Sequence, residues 1–216
     1  HPAMVAWLFK LGEPFEDIGH AVRLPAVILC HFSFLIWNEI LKDKLNEKER
    51  VLWLLLCAAN PLVFLSGVII TPDTPLFFFW SASIFFLIRS LKTKTWQNYA
   101  LLGAALGLSF CSKYNTVIFV PILLAVLLIK KQYRQVRWSF VPLTVLAGLI
   151  FSLPVLIWNF QNDFRSFAFQ LGHGLEGGEW KSYWTTSYVA GQMAILSPFL
   201  FFMIFRKVVR QNLPLL

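Results

Sequence analysis

Charged residues are scarce in this sequence, and the common motifs of soluble enzymes are missing from it. Only 14% of its 216 residues are charged, whereas 57% are hydrophobic. It contains no GxxxxGK phosphate-binding loop, no paired cysteines and no HExxH metal motif. A soluble domain would alternate polar and apolar faces, and most of this chain does not. Together with 22 Phe and nine Trp, the composition predicts an integral membrane protein.

Cysteines are few, and a leader sequence is not recognisable. Cys30, Cys57 and Cys111 all lie inside apolar runs, without the spacing of a metal or redox site, so we interpret them as small buried residues. No charged segment precedes a short apolar one at the start, as it would in a signal peptide. The sequence starts at His1 and its first methionine is Met4. We therefore expect this sequence to be part of a longer chain.

Apolar runs fill most of the chain and predict an all-α, polytopic transmembrane helix bundle with about seven spans. The predicted spans are residues 21–41, 51–71, 75–91, 96–112, 114–129, 136–158 and 185–205. Residues 1–19 are amphipathic and then acidic, and we expect them to lie along the membrane surface. Residues 159–184 form an external loop between the last two spans. Residues 1–216 are interpreted as one membrane-embedded domain.

Basic residues fix the predicted orientation of this bundle. Alternate connections hold 14 of the 19 Lys and Arg, and the positive-inside rule makes those connections cytoplasmic. The residues are Lys42, Lys44, Lys48, Arg50, Arg89, Lys92, Lys94, Lys130, Lys131, Arg134, Arg137, Arg206, Lys207 and Arg210. The net charge of +8 therefore reflects the orientation of the spans in the membrane, and no nucleic-acid partner is predicted. Within the fourth span, the GxxxG spacing of Gly103 and Gly107 predicts close helix packing.

The polar residues that are candidates for chemistry all fall on the non-cytoplasmic side. Asp73, between Pro72 and Pro75, either caps a helix or orients an acceptor, a donor sugar or a metal ion. Lys113, between two apolar runs, either extends its ammonium to the membrane surface or binds a lipid phosphate. Arg165 and His173 lie in a segment predicted to be a mobile, glycine-rich loop. Either they are ordinary solvated residues, or the loop covers a lipid-linked substrate.

Group transfer on this side of a membrane needs an activated donor that arrives through the lipid. A polyprenyl-phosphate sugar meets that requirement, because its leaving group is a phosphate that cations can hold. Four segments carry a family resemblance, the fourth of which runs on from residues 154–159 to residues 169–174. They are HPAMVAW (1–7), TPDTPL (71–76), LGLSFCSKY (106–114) and PVLIWN (154–159) with FQLGHG (169–174). In order and placement they resemble the lipid-phosphate-dependent glycosyltransferases of the GT-C class, in particular the bacterial protein mannosyltransferase and aminoarabinose transferase group.

The resemblance implies transfer of a sugar from a polyprenyl-phosphate donor to a lipid, glycan or protein acceptor. The enzyme would lie in a bacterial inner membrane, with its active site facing the periplasm or exterior. Asp73 matches a second, supporting acid, and the main catalytic acid is expected upstream of His1. The donor phosphate would be bound by Lys113, Tyr114 and Arg165. The substrate-binding residues would be His1, Asn159, Gln170 and His173. A divalent metal ion is a further expectation, with no ligand set assigned.

Two other classes of protein fit parts of the pattern. A transporter or lipid flippase would also use several spans with kinking prolines, but it usually has ionisable residues near mid-membrane and repeated halves. Here the spans are almost free of charge, His31 being the one titratable residue well inside a span, and no repeat is apparent. A non-catalytic membrane scaffold is the remaining alternative, and it would lack the acid expected upstream of His1.

Overall fold

The computed structural model describes residues 3–60, 63, 67–175, 181–196 and 206, and these residues form helices and turns without any strand. The α-helices are α1 (Met4–Gly12), α2 (Leu24–Leu41), α3 (Glu47–Ala58), α4 (Asp73–Thr93), α5 (Trp96–Ser112), α6 (Thr116–Ile129), α7 (Val141–Gln161), α8 (Arg165–Leu175) and α9 (Ser182–Leu196). Short 3-10 turns cover Glu13–Phe15, Ala21–Arg23, Gln132–Gln135 and Trp138–Phe140. The all-α prediction is confirmed for this part of the chain.

Three described segments are long and apolar enough to cross a membrane. They are Ala21–Leu41, Asp73–Thr93 and Trp138–Gln161, and each coincides with a predicted span. Helices α5 and α6 occupy two further predicted spans but have only 17 and 14 residues. Parts of the second and seventh predicted spans lie outside the described residues. The protein is therefore a helical membrane protein, and the number of seven spans stays a prediction.

Helix α5 is the centre of the bundle, because it packs against α4 on one side and α7 on the other. Its two spaced glycines lie where α7 comes closest. A Cβ atom on Gly103 would be 2.1 Å from the carbonyl oxygen of Thr144, and one on Gly107 would be 2.5 Å from that of Gly148. Both distances are far below van der Waals contact, so only glycine fits at these positions. The GxxxG prediction of close packing is confirmed.

Small polar residues allow α2 and α4 to pack closely as well. The indole Nε1 of Trp37 donates a hydrogen bond of 2.9 Å to Ser81 Oγ, and Ser81 and Ser83 are both buried. Each of these serine hydroxyls also donates to the carbonyl one turn earlier, at 2.7 Å. Such hydroxyls satisfy themselves within their own helix, so they can be buried without an uncompensated polar group.

The N-terminal helix α1 lies across one end of the bundle. Its inner residues Met4, Leu8 and Gly12 are buried, whereas Phe9 and Leu11 are exposed. It packs against the Ala21–Arg23 turn, α2 and α5. The expected amphipathic character is therefore observed, and its location at the membrane surface stays a prediction.

The two ends of α4 carry ion pairs that mark opposite ends of the bundle. Lys92, in the last turn, donates to Asp43 at 2.8 Å, and Asp73, the first residue, accepts from Lys113 at 2.7 Å. Nineteen residues of helix separate Asp73 from Lys92, which is about 29 Å at 1.5 Å per residue. This is close to the roughly 30 Å of a bilayer's hydrocarbon core. The predicted cytoplasmic and non-cytoplasmic residues thus fall at opposite ends.

The connection after α7 differs from the loop that the sequence predicts. Helix α7 continues to Gln161, and after a short turn α8 covers Arg165–Leu175. The expectation of a mobile, glycine-rich loop is wrong over α8. The reason is that Phe167 packs against the aromatic rings of Phe110 and Tyr114, and Phe164 stacks on Phe167, which anchors this segment. Residues 176–180 lie outside the described part of the chain.

Candidate functional site

Asp73 begins α4 and binds Lys113 rather than capping its own helix. The N-cap position is occupied by Pro72, whose side chain has no acceptor for the free N–H groups of the first turn. Asp73 is therefore in the first turn, where a carboxylate interacts favourably with the positive end of the helix dipole. Its Oδ1 accepts a hydrogen bond of 2.7 Å from Lys113 Nζ, 40 residues away in sequence. The structure thus brings together two residues that the sequence places on the same side of the membrane.

Lys113 is held in place by the turn between α5 and α6. It is the C-cap of α5 in an extended conformation, and its N–H donates to the carbonyl of Ser109. Its own carbonyl accepts a 3.1 Å hydrogen bond from Thr116 Oγ1, and that hydroxyl also lies 2.6 Å from Ser109 Oγ. Ser109 and Thr116 are both buried. The backbone of the turn is therefore fixed, and the ammonium extends from it towards α4.

The ion pair is accessible, so it contributes little to the stability of the fold. The side chain of Lys113 is 39% exposed and that of Asp73 is 58% exposed. Pairs of this kind contribute about 0–1 kcal/mol. An ammonium has three N–H donors, and Asp73 uses one of them. Lys113 can therefore bind an additional anion without first losing Asp73.

Two stacked aromatic residues join the helices that carry and follow the ion pair. The rings of Trp80, two turns after Asp73, and Phe119, one turn into α6, stack with centroids 4.6 Å apart and an interplanar angle of 11°. This contact joins the helix that carries Asp73 to the helix that follows Lys113. The distance across the pair is thus set by packed side chains as well as by charge.

Tyr114, next in sequence to Lys113, is the centre of a second polar group. Its hydroxyl is hydrogen-bonded to Ser166 Oγ in α8 and lies 3.4 Å from Asn159 Nδ2 in α7. The ring packs between Phe110 and Phe167, with centroids 5.2 and 5.1 Å away. Tyr114 also packs against the buried cluster of Met4, Cys111 and Val155, so it links the Lys113 turn to α7 and α8 beside a cluster that includes α1.

The other predicted site residues occupy different environments. Asn159 is fully buried, so it contacts no molecule outside the protein in this conformation. Arg165 and Gln170 are exposed on α8, and the guanidinium of Arg165 is 4.0 Å from Asp163. His173 lies on the same helix, although its side chain is outside the described part of the structure, as is the whole of His1. Because Arg165 precedes Ser166, it lies at the α8 end that contacts Tyr114.

The described residues do not supply a set of metal ligands. No three His, Cys, Asp or Glu side chains come together among them. Asp73, the acid at the site, is already bound to an ammonium, which repels a cation. The donor set at this site therefore does not fit a divalent ion, and the metal expected from the family stays an untested prediction.

An apolar groove of about 630 Å³ begins beside the Lys113 turn and follows α5, α6 and α7 towards the opposite end of the bundle. Thr116 and Phe110 line its first part, and Tyr133 and Trp138 line its last. Between them the walls are formed by aliphatic side chains such as Val120 and Leu124. Its length and composition suit a hydrocarbon chain.

Sequence reasoning missed Ser166 as a member of this site. A serine in a segment interpreted as a loop carries no signal of its own, and its partner Tyr114 is 52 residues away. It also missed that Asp73 and Lys113 bind each other. The alternation of basic connections predicts that Asp73 and Lys113 lie on the same side of the membrane, but it does not predict the distance between them.

Comparison with protein families gives one match, which covers most of the chain. Residues 1–158 match the model of the family described as dolichyl-phosphate-mannose-protein mannosyltransferase. The matched range contains Asp73, Lys113 and Tyr114 and ends one residue before Asn159. It leaves out Arg165, Ser166 and the rest of α8.

Similar proteins among characterised sequences are also glycosyltransferases. An undecaprenyl phosphate-alpha-4-amino-4-deoxy-L-arabinose arabinosyl transferase of Yersinia pestis is 29% identical over 189 residues, covering 80% of this chain and 33% of the relative. A lipopolysaccharide core galacturonosyltransferase of Rhizobium johnstonii is 26% identical over 144 residues, covering 64% of this chain and 28% of the relative. The chain thus spans about a third of the length of the curated relatives it matches. No solved structure matches it significantly.

Proposed function

Because the chain belongs to the dolichyl-phosphate-mannose-protein mannosyltransferase family, we propose that it acts in a membrane glycosyltransferase that uses a polyprenyl-phosphate-linked sugar as donor. The observation that carries the proposal is the accessible Asp73–Lys113 pair at the end of the bundle opposite the basic connections. The printed name of the Yersinia relative includes undecaprenyl phosphate, which supports this class of donor. The acceptor is a lipid, a glycan or a protein, and the lipopolysaccharide core in the name of the Rhizobium relative favours a glycolipid.

The proposed active site faces the periplasm or the exterior of a bacterial inner membrane. This orientation is supported by the excess of Lys and Arg in the connections at the Lys92 end of the bundle. Nucleotide sugars are not normally available on the outer side, so a lipid-carried donor is required there. The sugar would reach Lys113 from within the plane of the membrane.

In the proposed reaction an acceptor oxygen attacks the anomeric carbon of the donor. The bond between that carbon and the phosphate oxygen breaks, and the polyprenyl phosphate leaves with the electron pair. A carboxylate takes the acceptor's proton, and in the family resemblance this acid is expected upstream of His1. Lys113 neutralises the negative charge that develops on the leaving phosphate. Asp73 orients the ammonium and completes the wall of the site.

The apolar groove is the proposed position of the polyprenyl chain. Its first part includes Thr116, whose hydroxyl binds the Lys113 carbonyl. A phosphate at Lys113 and an isoprenoid chain along Val120 and Leu124 would therefore form one continuous ligand. The exposed cation Arg165, beside Ser166, is in a suitable segment to approach the same phosphate. Direct contacts of His1, Asn159, Gln170 and His173 with the substrate stay predictions.

The test uses two ion pairs of similar geometry at opposite ends of the bundle. In the full-length protein, Lys113→Ala should lower transfer from a radiolabelled polyprenyl-phosphate sugar by about 100- to 1,000-fold, the usual cost of removing one donor that stabilises a transition-state charge. Lys92→Ala removes the pair with Asp43 at the other end and should leave transfer unchanged. Both variants should lose little thermal stability, and to a similar degree, because each breaks an exposed pair.

Either of two results would contradict the proposal. Full transfer activity in a folded Lys113→Ala variant would remove the phosphate-binding role of the lysine. Loss of transfer in Lys92→Ala with retention in Lys113→Ala would place the chemistry at the opposite end of the bundle.

A further inference from the structure

Asn159 is the buried polar residue whose presence packing does not explain. Its side chain is completely buried near the end of α7. Nδ2 donates to the carbonyl of Val155 at 3.0 Å and is 3.4 Å from the hydroxyl of Tyr114. Oδ1 is buried and has no hydrogen-bond partner among the described residues. A buried carbonyl without a partner costs about 1–3 kcal/mol, so an apolar residue of similar size would suit the fold at least as well.

The hydrogen bonds of Asn159 lead towards the Lys113 turn. The amide donates to Tyr114 Oη, and the phenol is in turn bound to Ser166. The amide nitrogen Nδ2 can only donate, so the phenolic oxygen of Tyr114 accepts this hydrogen bond. The phenolic hydrogen is then free to point towards Ser166 in α8. Tyr114 is joined to Lys113 by one peptide bond. Anchoring the phenol therefore restrains the backbone of Tyr114, and through it the backbone from which the Lys113 side chain extends.

We propose that Asn159 is a positioning residue, which acts through Tyr114 to hold Lys113 opposite Asp73 and to dock α8 over the site. This inference rests on the proposed function, because it assigns Asn159 a role in that same site. It differs from direct substrate binding, since the Asn159 side chain has no exposed surface. The cost of the unpaired Oδ1 is the reason to expect a functional rather than a stabilising role for this amide.

The first test separates stability from activity. In the full-length enzyme, Asn159→Leu removes the amide but keeps a side chain of similar size, and Tyr114 keeps Ser166 as its partner. Thermal stability should be unchanged or higher. The kcat for transfer from a polyprenyl-phosphate sugar should fall about 10- to 100-fold, because a displacement of about 1 Å at a reacting group has effects of that size. The KM for the donor should change less than kcat, since Lys113 and its charge remain.

A double-mutant comparison tests whether Asn159 acts through Tyr114. Tyr114→Phe keeps the ring among Phe110 and Phe167 and removes only the hydroxyl. It should lower kcat to a similar degree, and Asn159→Leu should have no further effect when combined with it. Effects that multiply would show that the two residues act independently, and would contradict the inference. Unchanged kcat in Tyr114→Phe would contradict it as well, and this variant serves as the test if Asn159→Leu does not fold.

The result for Lys113→Ala distinguishes a failure of this inference from a failure of the proposed function. If Lys113→Ala is inactive while Asn159→Leu and Tyr114→Phe are fully active, the site is correct and the positioning role is wrong. If Lys113→Ala is fully active, the proposed function fails, and the positioning role fails with it.

Discussion

The contact between α5 and α7 predicts opposite effects for the same substitution at two neighbouring glycines. A Cβ atom on Gly103 would lie 2.1 Å from the carbonyl oxygen of Thr144 and 2.9 Å from the Cβ of Ala147. A Cβ atom on Gly148, on the facing helix, meets only the carbonyl of Gly103, at an ordinary 3.5 Å. Both glycines are inside helices. Gly103→Ala and Gly148→Ala therefore differ in the space available and in little else.

The magnitude follows from the movement that alanine at position 103 requires. Ordinary van der Waals contact begins near 3.4 Å, so the helices must separate by about 1.3 Å. The hydrogen bond from Thr144 Oγ1 to the carbonyl of Tyr99, now 3.0 Å, does not survive that separation. Such overpacking costs about 1–3 kcal/mol, and the lost hydrogen bond adds about 0.5–1.5 kcal/mol. The higher helix propensity of alanine returns only about 0.5–1 kcal/mol.

We therefore expect Gly103→Ala to lower the free energy of unfolding by about 1–3 kcal/mol, and Gly148→Ala to leave it unchanged or raise it by up to about 1 kcal/mol. Reversible denaturation of the purified protein in mixed micelles, followed by tryptophan fluorescence, measures both values. Changes in the unfolded chain are the same for the two variants and cancel in the comparison. Equal destabilisation by both substitutions, or none by Gly103→Ala, would refute the reasoning.

Two further predictions concern the groove and the opposite end of the bundle. Val120→Trp should fill the apolar groove and raise the KM for a long-chain donor about tenfold or more, with little effect on the KM for a short-chain donor analogue. The matched control is Ile122→Trp, at an exposed position on α6 outside the groove. Equal effects of the two substitutions would argue against a bound polyprenyl chain. The hydrogen bond and then the charge of Lys92 lower the pKa of Asp43 below its usual value. A lowered pKa in the folded state adds stability above the unfolded pKa, and this is lost as the pH falls through the folded value. The thermal midpoint of Asp43→Asn should therefore be slightly below the parental one at neutral pH and converge with it in acid. A difference that stays constant as the pH is lowered would show that the pair is not responsible.

The sequence was sufficient to predict the helical membrane class, the opposite ends of the bundle at which Asp73 and Lys92 lie and the close approach at Gly103 and Gly107. These properties depend on local composition and on spacing within one helix, which the sequence states directly. The pairing of Asp73 with Lys113 depends instead on how α4 and α5 pack. Residues 40 positions apart have no periodic relation that would indicate contact.

The segment after α7 shows where composition misleads. Glycines near its end favour a loop, but Phe167 packs against Phe110 and Tyr114 and Phe164 stacks on Phe167, and this packing stabilises α8. Asn159 was expected to contact a substrate because it lies in the segment PVLIWN (154–159), which carries the family resemblance. Helix α7 instead continues past it, which places it one turn after Val155 on the buried side of the helix. Tertiary contacts decide both cases, and a single sequence does not contain them.

The proposed site pair Asp73–Lys113 differs from the pair Asp43–Lys92 in its surroundings rather than in its own geometry. Asp43–Lys92 and Asp73–Lys113 have nearly the same length, 2.8 and 2.7 Å, and both are accessible. A lysine that only marks the cytoplasmic side of a membrane needs no defined geometry, because its effect on orientation depends on charge alone. Lys113 is held by buried hydroxyls on its own turn and by Tyr114 next to it. The buried, hydrogen-bonded hydroxyls of Ser109 and Thr116 therefore give the exposed ammonium of Lys113 a defined origin, which is what the proposed binding of a lipid-linked phosphate requires.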